Sequence, residues 1–159
     1  MQEIERKFLV LNTDFKEQAF ASRRITQGFL NTDPERTVRV RVKGNEGFIT
    51  VKGIGNKSGT TRFEWEKQIT VKEAKALLEL CETEIIDKTR YEVKAGNHIF
   101  EVDEFHGENE GLFVAEVELS KEDETIVSPD WLGEEVTGDS KYYNAQLSKK
   151  PYSKWNGSK

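Results

Sequence analysis

The chain has 159 residues, 33% of them charged, with a formal net charge of -5 and one cysteine. That length fits one domain, residues 1–159, with enough chain for a core that needs no staples; Cys81 alone permits no internal disulfide, so a cytoplasmic location is the expectation. The acidic balance disfavours nucleic acid or an anionic membrane as partner, and neither a ~20-residue apolar run nor a signal-peptide pattern is present.

Strand signals dominate the chain in order. Glu3–Val10 alternates, with Glu3, Glu5 and Lys7 on one face and Ile4, Phe8 and Val10 mostly on the other. Same-face side chains of a strand sit ~7 Å apart, whereas on a helix positions i and i+2 diverge and the two carboxylates could not converge. A short helix is expected from Asp14, capped with Glu17 three residues on. Arg24–Asn31 reads as a second strand. Thr37–Lys43 alternates strictly between apolar and basic, then turns at Gly44-Asn45-Glu46-Gly47 into Phe48–Lys52, a hairpin. Gly53–Thr60 reads as a flexible loop, and Arg62–Glu66 alternates again.

Val71–Cys81 is the clearest helix. Thr70 and Glu73 form a capping box, while Ala74, Leu77, Leu78 and Cys81 share one face; Cys81 is read as a packing residue. Ile86–Lys94 and Ile99–Phe105 flank a turn at Ala95-Gly96-Asn97, and the turn Gly107–Gly111 leads into Phe113–Leu119. Glu134–Thr137 is expected to pair as a strand and Tyr142–Lys149 to form a short helix before Pro151.

The polar faces of these strands carry Glu3, Glu5, Lys7; Arg39, Arg41, Lys43; Thr50, Lys52; Arg62, Glu64, Glu66; Lys88, Arg90, Glu92; Glu101, Asp103; and Glu116, Glu118. On one strand this is what a solvated face looks like, but an antiparallel sheet with one wet face normally mixes Thr, Ser, Gln and Asn among its charges. Here the face is nearly all ionisable and of both signs. The amphipathic helix and the aromatic residues need apolar surface to pack on, which suits apolar faces turned outward and charged faces turned inward around a water-filled bore. A polyphosphate with its metal is the natural ligand of such a bore. Arg and Lys neutralise phosphate oxygens; carboxylates beside phosphate imply a divalent cation between them, and Mg²⁺ or Mn²⁺ suits oxygen ligands.

Glu3-x-Glu5-x-Lys7 at the N-terminus, Arg39-x-Arg41, Lys52, Glu64-x-Glu66, Lys88-x-Arg90, Asp103 and Glu116-x-Glu118 occur in the order seen in the CYTH superfamily, the triphosphate tunnel metalloenzymes. The chain resembles this family over roughly residues 1–147, its small bacterial members most. The resemblance implies an α+β fold that is mainly antiparallel β, an eight-stranded closed tunnel with flanking helices. It implies that Arg39, Arg41, Lys52, Lys88 and Arg90 grip a triphosphate. Glu3, Glu5, Glu116 and Glu118 would hold divalent metal with Asp103 nearby, and Lys7 would stand by the scissile phosphate as the catalytic residue. Glu64 and Glu66 match acidic tunnel positions, either as metal contacts or as partners of the bases. The chain departs at Phe29, where small bacterial members often carry Tyr after the Gly.

The implied activity is metal-dependent hydrolysis of inorganic triphosphate or a related compound. An adenylyl cyclase of the class IV type and a non-catalytic polyphosphate-binding module are the alternatives, and the chain would act as a monomer or homodimer. His98 and His106 lack further ligands at zinc spacing. Gly53-Ile54-Gly55 lacks the end of a phosphate loop; it is a lid over a tunnel mouth or a plain linker. Trp131 and Trp155 read as packing residues.

Overall fold

Alternation along each strand, with a buried apolar side and a charged side, is what lets this sheet close on itself. The computed structural model describes residues 2–82 and 84–155. The strands are β1 (Gln2–Val10), β2 (Ala21–Asn31), β3 (Thr37–Lys43), β4 (Glu46–Gly55), β5 (Thr61–Ile69), β6 (Ile86–Ala95), β7 (His98–Phe105), β8 (Phe113–Glu118) and β9 (Leu132–Glu135), and the helices are α1 (Phe15–Gln18), α2 (Val71–Leu78) and α3 (Asn144–Leu147). The sheet runs β5-β4-β3-β2-β6-β7-β8-β1-β9, and β5 pairs again with β1. β1 through β8 therefore form a closed antiparallel barrel, with β9 added alongside β1. Closure leaves no free edge among these eight strands.

The apolar sides face outward, except on β2, where Ile25 and Phe29 share the inner face with Gln27. Phe8, Val93, Phe100, Val102, Ala115 and Val117 pack beneath Phe15 of α1 and the fully buried Trp131. Phe15 and Phe100 both meet the Trp131 ring edge-on, and the indole N–H donates to Gln18 Oε1 at 3.0 Å. α2 covers β2, β3 and β4. Gly47 makes this close approach possible, because a Cβ there would lie 2.8 Å from the Thr70 carbonyl oxygen and 3.0 Å from Ala74 Cβ. A second apolar cluster, with Phe105, Leu112, Val114, Tyr142 and Leu147, ties the C-terminal segment to β7 and β8. Among the described residues no helix is long and apolar enough to cross a membrane.

Several local expectations are corrected. Asp14 makes no capping bond to α1; its own N–H donates to Asn12 Oδ1, and the single helical turn is held by the buried Phe15. The Thr70–Glu73 capping box is present, but α2 ends at Leu78, and Cys81 continues only through turn-type bonds. Cys81 is half-buried, close enough to Gly28 that a Cβ there would lie 2.7 Å from its sulfur. β2 begins earlier, at Ala21, and β4 runs on to Gly55, so only residues 56–60 form the loop. Strand β9 lies two residues before the expected Glu134–Thr137, and Tyr142–Lys149 resolves into a 3-10 turn at Ser140–Tyr142 followed by α3. Helical cover is also incomplete: Phe63 and Trp65 on β5 remain partly exposed.

Candidate active site in the bore

Register places the charged residues. Across β1 and β8, Lys7 opposes Glu116 and Glu5 opposes Glu118; across β6 and β7, Arg90 opposes Asp103; across β4 and β5, Lys52 opposes Glu64 and Thr50 opposes Glu66. Opposed residues share a face, so each pairing puts both members on the same side of the barrel wall. The result is a cavity of about 460 Å³ lined by Glu3, Glu5, Lys7, Arg39, Arg41, Lys52, Glu64, Glu66, Lys88, Arg90, Glu116 and Glu118. Every site residue expected from the sequence except Asp103 lines it. Lys43, Arg62 and Glu101 line it as well.

The ion pairs divide the bore into regions. Lys7 Nζ donates to Glu116 Oε2 at 2.5 Å and lies 5.7 Å from the centre of the Tyr143 ring. Lys52 Nζ donates to Glu3 Oε1 at 3.1 Å, with Glu64 at 4.0 Å. Arg39 donates to Thr50 Oγ1 at 3.1 Å and stands 3.5 Å from Glu66. Arg90 grips Asp103 through two bonds of 2.8 and 2.9 Å, and Lys88 reaches the same carboxylate at 2.8 Å while donating to Asn144 Oδ1 at 3.0 Å. Arg41 Nε donates to the neutral Gln27 Oε1 at 3.0 Å.

Electrostatics sort the acids into two kinds. Burial opposes ionisation of Asp103 and Glu116, yet the facing cations outweigh it: Arg90 and Lys88 bring Asp103 down to about 2, and Lys7, Arg90 and Lys88 hold Glu116 well below the carboxylate range. Glu5 goes the other way, pushed up to about 8 by burial and then by Glu116 and Glu3. Burial and Glu3 also raise Glu118, with Glu101 adding to it, and Glu64 is raised chiefly by burial. Among the bases, burial and the neighbouring Arg39 and Arg90 depress Arg41 strongly. Burial takes Lys88 down to about 7 against the pull of Asp103, with Arg90 and Arg41 adding to the depression. Burial works against the charge of Lys7, but Glu116 and Glu5 outweigh it and raise its pKa.

The all-oxygen set of Glu3, Glu5 and Glu118 fits a hard divalent cation in its chemistry. Glu5 and Glu118 resist ionisation without added positive charge. As they stand, no three described His, Cys, Asp or Glu side chains already enclose a metal position, because Glu3 is turned onto Lys52 and Glu116 onto Lys7. Asp103 is only 3% exposed and engaged by two cations.

Sequence periodicity missed residues from the irregular C-terminal segment. Thr137, at the end of the expected Glu134–Thr137 strand, lines the cavity with Gly138, Tyr143, Asn144 and Gln146, and no strand pattern marks the last four. The end of β4 contributes Ile54 and Gly55 to the wall, and the loop after it contributes Asn56 and Gly59. This loop packs against the C-terminal segment, where a Cβ on Gly59 would lie 2.5 Å from Gly138 Cα. Gln27 gave a signal that could have been read: an amide between Ile25 and Phe29 on the side of β2 that faces the bore, opposite Arg41.

The site is thus the bore of a closed antiparallel barrel, walled by matched cations and carboxylates. The chain belongs to the CYTH domain family, whose model matches residues 1–152. It is 45% identical over 152 residues to an inorganic triphosphatase of Acetivibrio thermocellus, covering 95% of this chain and 96% of that protein. It is 38% identical over 152 residues to an inorganic triphosphatase of Nitrosomonas europaea, covering 93% and 97%. The crystal structure of the inorganic triphosphatase NE1496 matches with a TM-score of 0.66 at 36% identity, over 92% of this chain and 97% of that one.

Proposed function

We propose that this chain is a metal-dependent triphosphatase that hydrolyses inorganic triphosphate to pyrophosphate and orthophosphate. The observation that carries this reading is the bore itself: buried guanidinium and ammonium groups, one of them Arg41 held by a neutral partner, beside carboxyls that resist ionisation. Inorganic triphosphate is a compact linear anion with no base or sugar to be recognised. Its charge suits a wall of Arg and Lys.

Arg39, Arg41, Lys52, Lys88 and Arg90 bind the phosphate oxygens. Lys52 and Arg39 exchange Glu3 and Glu66 for substrate, while Asp103 keeps hold of Arg90 and Lys88. On this reading Asp103 is a positioning residue for those two cations and not a metal contact. Glu3, Glu5, Glu116 and Glu118 hold Mg²⁺ or Mn²⁺, with Glu64 and Glu66 as partners of the bases. Bound there, the divalent ion supplies neutralisation of phosphate charge and acidification of water.

Water attacks the terminal phosphorus, the bridging P–O bond breaks, and pyrophosphate leaves. Positioning and charge stabilisation are the main requirements of such a transfer. In the metal-free bore Lys7 is an ammonium that donates to Glu116; its role is to place positive charge by the reacting phosphate and not to act as a base. We place this chemistry in the cytoplasm, consistent with an unpaired Cys81.

The test is product analysis with Mg²⁺ or Mn²⁺. Orthophosphate release from inorganic triphosphate should far exceed formation of cyclic AMP from ATP. Inert triphosphate with cyclic AMP and pyrophosphate as the main products from ATP would replace this reading with a cyclase, and binding of triphosphate without turnover under either metal would make it a binding module.

A further inference from the structure

We propose that Gln27 is a positioning residue for the anion grip, holding the Arg41 guanidinium in place through a neutral acceptor so that its charge is left for the substrate. The proposal rests on the triphosphate reading above and deepens it. The contrast with the other grip cations is direct. Lys52 stands 3.1 Å from Glu3, Arg39 3.5 Å from Glu66, and both Lys88 and Arg90 2.8 Å from Asp103. Each of these is partly neutralised before any substrate arrives. Arg41 is as deeply buried as Arg90, yet its bond is to an amide oxygen.

The pairing is built into the sheet. Gln27 and Arg41 are directly opposed in the β2–β3 ladder, so they share a face and the amide reaches Nε without displacement of either strand. Arg41 can only donate, which fixes Oε1 as the atom turned toward it and leaves Nε2 on the far side. That Nε2 is buried, and no described group accepts a hydrogen bond from it. A buried donor without an acceptor is destabilising, and an apolar side chain of the same length would avoid the penalty. Packing alone therefore does not account for a glutamine that is fully buried.

A glutamate would fill the same volume and hold Arg41 more firmly through a charge-assisted bond. It would also cancel the charge. The neutral amide orients the guanidinium without an ion pair at its Nε, and around it the positive charges of Arg39 and Arg90 outweigh the more weakly acting Asp103 and Glu101. An incoming triphosphate oxygen then meets a full positive charge already aimed.

Two substitutions test this, Gln27→Glu and Gln27→Met. Affinity is read by titration calorimetry with inorganic triphosphate in the absence of metal, alongside the melting temperature of the free protein and the kcat and KM for inorganic triphosphate. Gln27→Glu should melt no lower than the wild type, because Arg41 gains a counter-charge, while triphosphate affinity falls tenfold or more and KM rises more than kcat falls. Gln27→Met keeps the shape and the charge of Arg41 but loses the acceptor, so affinity falls by a smaller factor. A folded Gln27→Glu with wild-type affinity overturns the proposal, as does a Gln27→Met that loses as much as Gln27→Glu. If Gln27→Glu does not fold, Gln27→Met decides: weakened binding supports the role and wild-type binding removes it. Wild-type protein that neither binds nor hydrolyses triphosphate would sink the underlying reading, a result separate from any difference between the variants.

Discussion

Arg90 and Asp103 face each other across the β6–β7 ladder and join through two parallel hydrogen bonds of 2.8 and 2.9 Å, both side chains buried. Arg41, equally buried, has a neutral partner instead. The two arginines line one bore, yet the protein holds them by different means. Their removal should have unequal consequences for stability.

Arg41→Ala and Arg90→Ala should each raise KM for triphosphate and lower kcat, losing on the order of 2–4 kcal/mol of transition-state stabilisation, since charge-assisted contacts strengthen as charge moves. Their stabilities should diverge. Arg90→Ala leaves Asp103 with Lys88 alone, and breaking a buried pair typically destabilises by about 3–5 kcal/mol, so its denaturant midpoint should drop. Arg41→Ala removes a cation disfavoured by burial and should keep its midpoint much better. Equal losses in the two variants would contradict the distinction.

Glu5→Gln and Glu118→Gln should abolish most metal-dependent turnover while leaving a folded protein. Both carboxyls are raised, Glu5 to about 8, by burial and neighbouring acids, so the neutral amide should not weaken the metal-free fold. Phosphate release with Mg²⁺ or Mn²⁺ and thermal unfolding in chelator measure the two halves. Wild-type turnover in both variants would rule out the proposed metal ligands.

Lys7→Arg should retain the pH dependence of the wild-type rate, because Lys7 already keeps its proton beside Glu116 and Glu5. Arg carries the charge but cannot act as a base near neutrality. Lys7→Ala should lose on the order of 10²–10³ in kcat, the loss seen when one donor to a developing charge is removed. If Lys7→Arg instead eliminates the alkaline limb of the profile, Lys7 is a base after all.

Away from the bore, Glu124 receives bonds from the Ser120 N–H and hydroxyl and meets the His98 ring. These contacts, Ser120 first, bring its carboxyl down to about 2. A depressed folded-state pKa stabilises above the unfolded value of ~4.3 and loses that contribution as pH falls through the folded value. Glu124→Gln should therefore be less stable than wild type at pH 7, with the difference closing between pH ~4.3 and ~2. Urea midpoints across that range are the check; a gap that persists below this window would show that the lost bonds, and not the charge, set the difference.

The period-2 pattern by itself determined which side chains share a face, and with them the acids and bases that could line a bore. Thr37–Lys43 could not be read any other way, because a one-residue slip turns every charge to the opposite side. The Thr70–Glu73 capping box is equally local and was equally legible. Other features depended on contacts between segments distant in sequence. Asp103 has the same local signature as Glu101, yet the β6–β7 register and the reach of Lys88 turn it into the anchor of two cations. The α1 cap failed because the buried Phe15, packed on Tyr91 and Trp131, holds the turn in place of Asp14.

Only the closed barrel decided how the charges pair. Closure through β5 and β1 sets Glu3 opposite Arg62 and within reach of Lys52, and the fold brings Tyr143 and Asn144, from a segment outside the strand pattern, to Lys7 and Lys88. Periodicity records the direction of a side chain from its own backbone. The field it experiences depends on which strand lies opposite, and that follows from register, closure and burial together.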